Sequence, residues 1–246
     1  MTEAHPLDNA TWRSLTTGHA TLAEVHGGAR RYPVDVSPFA AVDRFDGDAW
    51  GDLAALVGAR GRVVLFRDHV PPPPPGWSER LRGTGIQLVL RPEGLRSTGL
   101  PSVGDLDVVA LTDDDVPRML ELTAATEPGP FLARTATLGS YVGSVREGRL
   151  LAMAGERLHP EGFTEISAVC TDAAVRGQGL AAGLTATVAA AILDRGERPF
   201  LHVASTNAGA QRVYERLGFE VRRTVDFVAF APPSSHPVEP HRGDRR

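Results

Sequence analysis

Residues 163–194 constrain this chain more than any other stretch. "FTEISAVCT" (163–171) is an apolar and β-branched run, "DAAVRGQG" follows it, and Leu180, Leu184, Val188 and Ile192 then recur every fourth position. The run predicts a strand, and the recurrence predicts a helix over about 177–194 with one buried face. Between them, Gly177 and Gly179 fall where the first N–H groups of a helix have no partner and its dipole is positive. A turn of that kind accepts an anion, and a phosphate first of all.

Three readings of the turn compete. The glycines can simply shape a strand-to-helix connection. They can open a dinucleotide fingerprint, with Ala182 in its third position, but the next strand "PFLHVAST" lacks the acidic residue that would hold a ribose. They can hold another phosphate-bearing cofactor. A Walker loop is excluded, because all 26 basic residues are arginine and there is no lysine.

A second constellation narrows the choice. In "STNAGAQRVYERLGF" (205–219) Asn207 stands at a helix start and Tyr214 seven residues later, on the same face two turns away; Gly218 closes the helix. Taken alone, Tyr214 reads as a core residue with its hydroxyl at the edge. Together, R-G-Q-G-L-A after a strand and then N-x-x-A-x-x-x-Y-x-x-x-G-F resemble the GNAT superfamily of acyl-CoA-dependent N-acetyltransferases. Arg176, Gly179 and Ala181 meet that family's first motif. The resemblance covers roughly residues 106–230, and the chain looks like a two-lobed subset with an active C-terminal lobe.

That resemblance implies an α/β fold of α+β type: a mixed, mostly antiparallel twisted sheet flanked by helices, preceded by a smaller divergent lobe. The loop "RPEGLRSTGLPSVGD" (91–105) and the tail without apolar periodicity divide the chain into 1–105, 106–230 and a disordered tail, 231–246. The resemblance implies acetyl-CoA as co-substrate, with the N–H groups of Gly177, Gln178, Gly179, Leu180, Ala181 and Ala182 around the pyrophosphate. Val169, Cys170 and Thr171 would pair with the pantetheine arm, Asn207 would contact it, and Tyr214 would protonate the departing thiolate. A base is needed near the thioester. Glu165 is one candidate, on the motif strand and, by strand alternation, on one face with Ser167, Val169 and Thr171. His202, in "FLHVAST", is the other. Their bland readings are a salt-bridged strand residue and a satisfied core histidine.

The rest of the chain bounds the function. A net charge of -4 gives no polybasic footprint for nucleic acid. No apolar run approaches membrane-spanning length, and "MTEAHPLDNATW" lacks a signal pattern, so a cytoplasmic protein is expected. The single cysteine, Cys170, excludes an internal disulfide and reads as inert; the eight histidines show no ligand spacing, so no metal is expected. The partner is an amine, as a small molecule or on a peptide or protein, with the oligomeric state open. The alternative from another class is a lobe that senses acyl-CoA without turning it over. In the front half, "DNATWRSLTTGHATLAEV" and "DGDAWGDLAALVGARG" read as helices, "RVVLF" and "IQLVL" as strands, and "PPPPPGW" as a stiff spacer between them.

Overall fold

The computed structural model describes residues 5–95 and 108–233. In the front half, α1 (Ala10–Thr16), β1 (Glu24–His26), β2 (Ala29–Arg31), β3 (Phe39–Val42), α2 (Ala49–Val57), β4 (Val63–Arg67) and β5 (Ser78–Leu90) follow in order. The second half gives β6 (Val108–Leu111), α3 (Val116–Thr126), β7 (Tyr141–Arg146), β8 (Arg149–Glu156) and β9 (Phe163–Thr171). It ends with α4 (Leu180–Asp194), β10 (Arg198–Ala204), α5 (Ala208–Leu217) and β11 (Phe219–Ala231).

The local signals explain most of these elements. Thr112 and Asp115 form a reciprocal capping box ahead of α3, the Thr112 N–H donating to the Asp115 carboxylate at 2.8 Å. Glu147 and Gly148, both at positive φ, make the two-residue turn between β7 and β8. The first helix is shorter than its sequence suggests: it stops at Thr16, and a 3-10 turn and β1 take up the rest of the segment. The Asp8 carboxylate accepts the His5 N–H at 3.2 Å in the capping box of the 3-10 turn before α1, whereas the Asn9 side chain caps nothing. The Asn9 amide donates to the Val42 carbonyl at 2.8 Å, and Asp8 accepts from Arg222 and Arg223.

Among the described residues eleven strands form one sheet, in the order β1-β2-β3-β4-β11-β5-β10-β9-β8-β7-β6. Only β3–β4 and β9–β10 run parallel; the other neighbours are antiparallel. The sheet therefore matches the expected mixed, mostly antiparallel class. It does not divide between the halves. The β5 strand of the front half sits between β10 and β11, which are consecutive strands of the second half. The boundary expected near residue 105 lies outside the described residues, as does the tail from 234 onward; β11 itself runs to Ala231.

Each face of the sheet has its own core. On one face Leu180, Leu184, Val188 and Ile192 of α4 pack with Ile166, Leu201, Leu88 and Tyr214. Burying each aliphatic side chain contributes about 1.5–3 kcal/mol. On the other face the front-half residues Leu7, Leu15, Tyr32 and Phe39 pack with Leu138, Leu158 and Phe200 of the second half. A polar cluster crosses the same junction. His19 lies 3.0 Å from the Tyr32 hydroxyl and 3.1 Å from the Leu138 carbonyl, and the His159 N–H donates to Ser14 at 2.8 Å.

Burial, and then the neighbouring His159, lower the His19 pKa from 6.5 to about 4. The unfolded chain therefore binds a proton here between those values while the folded chain does not. This contribution to stability is fully present above pH 6.5 and is lost as the pH falls toward 4, by up to about 3 kcal/mol. Denaturant titrations at pH 5 and 7 should show the wild type weaker at pH 5, with a smaller difference in His19→Gln. An equal difference in both proteins would remove His19 as the cause.

Candidate active site

The site begins where two parallel strands part. β9 and β10 pair from Phe163 and Arg198 up to Ile166 and Leu201, and their pairing ends there. Beyond that point Ala168 takes a left-handed φ of 53°, and the register of β8 against β9 slips between Met153 and Gly155. This is a β-bulge, and it bends β9 away from its neighbour. Residues 167–171 still pair with β8 on one side, leaving their other backbone edge turned to a cavity of about 790 Å³.

The α4 turn forms one end of that cavity. Gly177 and Gly179 adopt φ of 80° and 82°, so the helix starts at Leu180 and not at 177 as its sequence suggests. A side chain is strained in that left-handed region, which accounts for both glycines. The first intrahelical bond runs from the Gly183 N–H to the Gly179 carbonyl at 3.0 Å, so the amides just before it have no carbonyl of the helix to pair with. Arg176, Gly177, Gly179, Leu180, Ala181 and Ala182 all line the cavity; Gln178 does not.

Across from this turn, β9 contributes Val169, Cys170 and Thr171, and α5 contributes Asn207 and Tyr214. Asn207 is the N-cap of α5: its side-chain oxygen accepts from the Ala210 N–H at 3.0 Å, leaving its amide nitrogen for a ligand. Tyr214 is buried, and burial, then Cys170, push its pKa up to about 12, so the phenol keeps its proton at neutral pH. Burial likewise pushes the Cys170 thiol up to about 11, which leaves it without nucleophilic thiolate.

The two expected bases differ in their access to the cavity. The bulge at Ala168 interrupts the alternation that would put Glu165 on a face with Val169 and Thr171, and Glu165 is fully buried and does not line the cavity. Its carboxylate accepts from Arg157 Nε at 2.8 Å and Nη2 at 2.6 Å, and from His202 Nδ1 at 2.6 Å. Burial alone would raise its pKa; the Arg157 charge and hydrogen bond, helped by His202, hold it instead at about 2. All three contacts hold the carboxylate in its ionised form. His202 does line the cavity, yet both ring nitrogens are engaged, Nδ1 by Glu165 and Nε2 by Gln87 at 3.0 Å, and Phe66 and Phe200 flank the ring.

Sequence reasoning missed several lining residues. Thr126, Glu127 and Pro128, at the C-terminal end of α3, border the cavity, with Glu127 in a left-handed conformation at φ 48°. Arg157 borders it too, although its side chain is 12% exposed and stacks over the Phe39 ring. Arg157 has no local signal, because its partner Glu165 comes from the next strand. Gln87 was visible as the lone polar residue in "IQLVL".

Comparisons with known proteins agree on one family. A family model described as FR47-like protein matches residues 141–228. A crystal structure assigned to the GNAT family as an acetyltransferase, from Novosphingobium aromaticivorans, is 37% identical over 93% of this chain and 99% of its own, with a TM-score of 0.82. The chain belongs to the GNAT family of acetyltransferases. A GCN5-related N-acetyltransferase from Kribbella flavida, 20% identical over 93% of this chain and 96% of that one, shares the fold at a TM-score of 0.57. The mycothiol acetyltransferase of Thermomonospora curvata is 36% identical over 89 residues, which is 36% of this chain and 30% of that protein. The chain thus matches about a third of the length of that curated relative.

GNAT acetyltransferases use acetyl-CoA, and this cavity fits such a co-substrate. A turn of unpaired amides with Arg176 beside it suits a diphosphate, and the open β9 edge suits an extended amide-bearing arm. Ala181→Asp tests the turn. An acidic residue in the first turn favours the helix dipole, so the fold should hold while the charge repels the diphosphate. Calorimetry should show coenzyme A affinity reduced about tenfold or more, roughly 1.4 kcal/mol. Unchanged affinity would place the diphosphate elsewhere.

Proposed function

We propose that this GNAT chain is an acetyl-CoA-dependent N-acetyltransferase that delivers the acetyl group to a primary amine by direct attack, without a covalent enzyme intermediate. One observation carries the reading: the cavity that joins the amide-rich turn to the open β9 edge also contains the buried, protonated phenol of Tyr214. A sensor of acyl-CoA would need the turn and the edge but no proton donor beside the sulfur.

The residues take the following roles. N–H groups of Gly177 to Ala182 hold the diphosphate, and the free edge of Val169, Cys170 and Thr171 aligns the pantetheine arm, with one N–H polarising the thioester carbonyl. Asn207 offers its amide to the same arm. Tyr214 donates its proton to the leaving sulfur, since its phenol is protonated at neutral pH. Glu165 and His202 act as the frame that holds Arg157 at the cavity. They present no free basic atom to it, so the proton of the amine leaves through water.

Two measurements test this. Tyr214→Phe should bind coenzyme A as the wild type does while turnover falls about 100-fold; wild-type turnover would return Tyr214 to a packing role. With two amines whose pKa values differ by about two units, the inflection in kcat/KM against pH should move with the amine. An inflection fixed at one pH for both amines would assign the proton to a base on the enzyme.

A further inference from the structure

Gln87 is 1% exposed in the apolar C-terminal part of β5, and it stands directly opposite His202 on β10 and Arg223 on β11. Burying a carboxamide among apolar neighbours is costly unless each of its groups is paired. Here they are, and the pairing has a direction. Arg222 Nη1 lies 2.9 Å from Gln87 Oε1, and the Leu7 carbonyl lies 3.0 Å from Gln87 Nε2. An arginine can only donate and a carbonyl can only accept, so both neighbours fix the same orientation of the amide.

The orientation decides the state of His202. Gln87 Nε2, a donor, faces His202 Nε2 at 3.0 Å, so that ring nitrogen must offer its lone pair. The opposite nitrogen, Nδ1, lies 2.6 Å from the ionised Glu165 and must carry the hydrogen. A doubly protonated ring would set two donors against each other at Gln87. The charges around the ring are few. Burial opposes the imidazolium most, Glu165 on β9 favours it, and Arg157 just beyond β8 opposes it; Arg222 on β11 stands behind Gln87, and Asp8 in turn holds Arg222 and Arg223. Phe66 and Phe200 cover the ring and bring no charge.

We infer that Gln87 is a positioning residue of the active site: oriented by Leu7 and Arg222, it locks His202 as the neutral Nδ1–H tautomer. The front half thereby reaches the acetyl-transfer cavity through a chain of side chains, Asp8–Arg222–Gln87–His202–Glu165–Arg157. With His202 neutral, Glu165 remains the counter-ion of Arg157 and the cavity gains no second cation. The activity readout below rests on the proposed N-acetyltransferase reaction; the tautomer does not.

Long-range proton–nitrogen NMR on protein carrying labelled histidine, with the His202 signals assigned from His202→Gln, reads the tautomer directly. The wild type should show a neutral Nδ1–H ring at pH 7 and above and a midpoint below the ordinary histidine value of about 6.5. Gln87→Glu replaces the donor with an acceptor and should raise the His202 midpoint by at least about one pH unit. Gln87→Met, which only removes the donor, should raise it less. On any accepted amine, Gln87→Glu should lower kcat/KM about tenfold near pH 7, worth about 1.4 kcal/mol, and add an inflection that does not move with the amine, with coenzyme A affinity unchanged. A wild-type His202 that titrates near pH 6.5, or that carries its hydrogen on Nε2, would overturn the inference even if neither variant folds. So would a Gln87→Glu protein with the wild-type midpoint and pH profile. If no amine is acetylated, the transferase reading fails while the NMR result still decides the role of Gln87.

Discussion

The parting of β9 from β10 is the constraint on which the rest depends. Two hydrogen-bonded parallel strands have no reason to separate, since each lost ladder bond leaves polar groups to be satisfied elsewhere. The left-handed backbone at Ala168 forces the separation, and β8 keeps its own pairing with the bent segment so that only one edge is freed. That single free edge is what an extended amide-bearing ligand can use. The opening also connects the two faces of the sheet. The α4 turn and Tyr214 lie with the helical core on one face, whereas Glu165, His202 and Gln87 belong with the layer that the front half covers.

The front half is therefore structural to the site and not an appendage. β5 supplies the strand that β10 leans on, and the residues at positions 5–9 reach the same layer through Asp8 and Leu7. A buried ion pair such as Arg157–Glu165 is weak evidence for net stability, because the cost of removing both charges from water offsets their attraction. Its contribution is geometric: bidentate contact fixes the guanidinium at one place on the cavity wall.

Much of this was legible in the sequence, for identifiable reasons. The extent of β9 was readable because its apolar run is bounded by turn residues, and α4 because four aliphatic positions recur at helical spacing. Thr112–Asp115 and the Glu147–Gly148 turn carry their chemistry locally. The β1–β3 strands were not legible: three and four residues are too few to show a period, and long-range pairing alone defines them. The start of α4 was misplaced because glycine spacing does not reveal positive φ. The failure over Glu165 has the same root. Strand alternation is a rule for regular strands, and no residue between 165 and 171 announces the bulge. The insertion of β5 between β10 and β11 is a fact of topology, which local patterns do not encode.

That insertion has a consequence for how the molecule is made. During synthesis β4 and β5 emerge early, but neither pairs with the other in the finished sheet. β11 separates them, and β10 lies on the far side of β5. Until residues 198–231 leave the ribosome, the thirteen-residue β5 has no native neighbour on either edge. Closure of the sheet waits for contacts far apart in the chain, a topology that folds slowly and leaves strand edges open to other chains meanwhile. The native blunting of such an edge is charge, and the outer part of β5 carries Glu79, Arg80 and Arg82 before its apolar end begins. The order of the strands thus sets a period of exposure that the acidic and basic residues at the start of β5 are placed to survive.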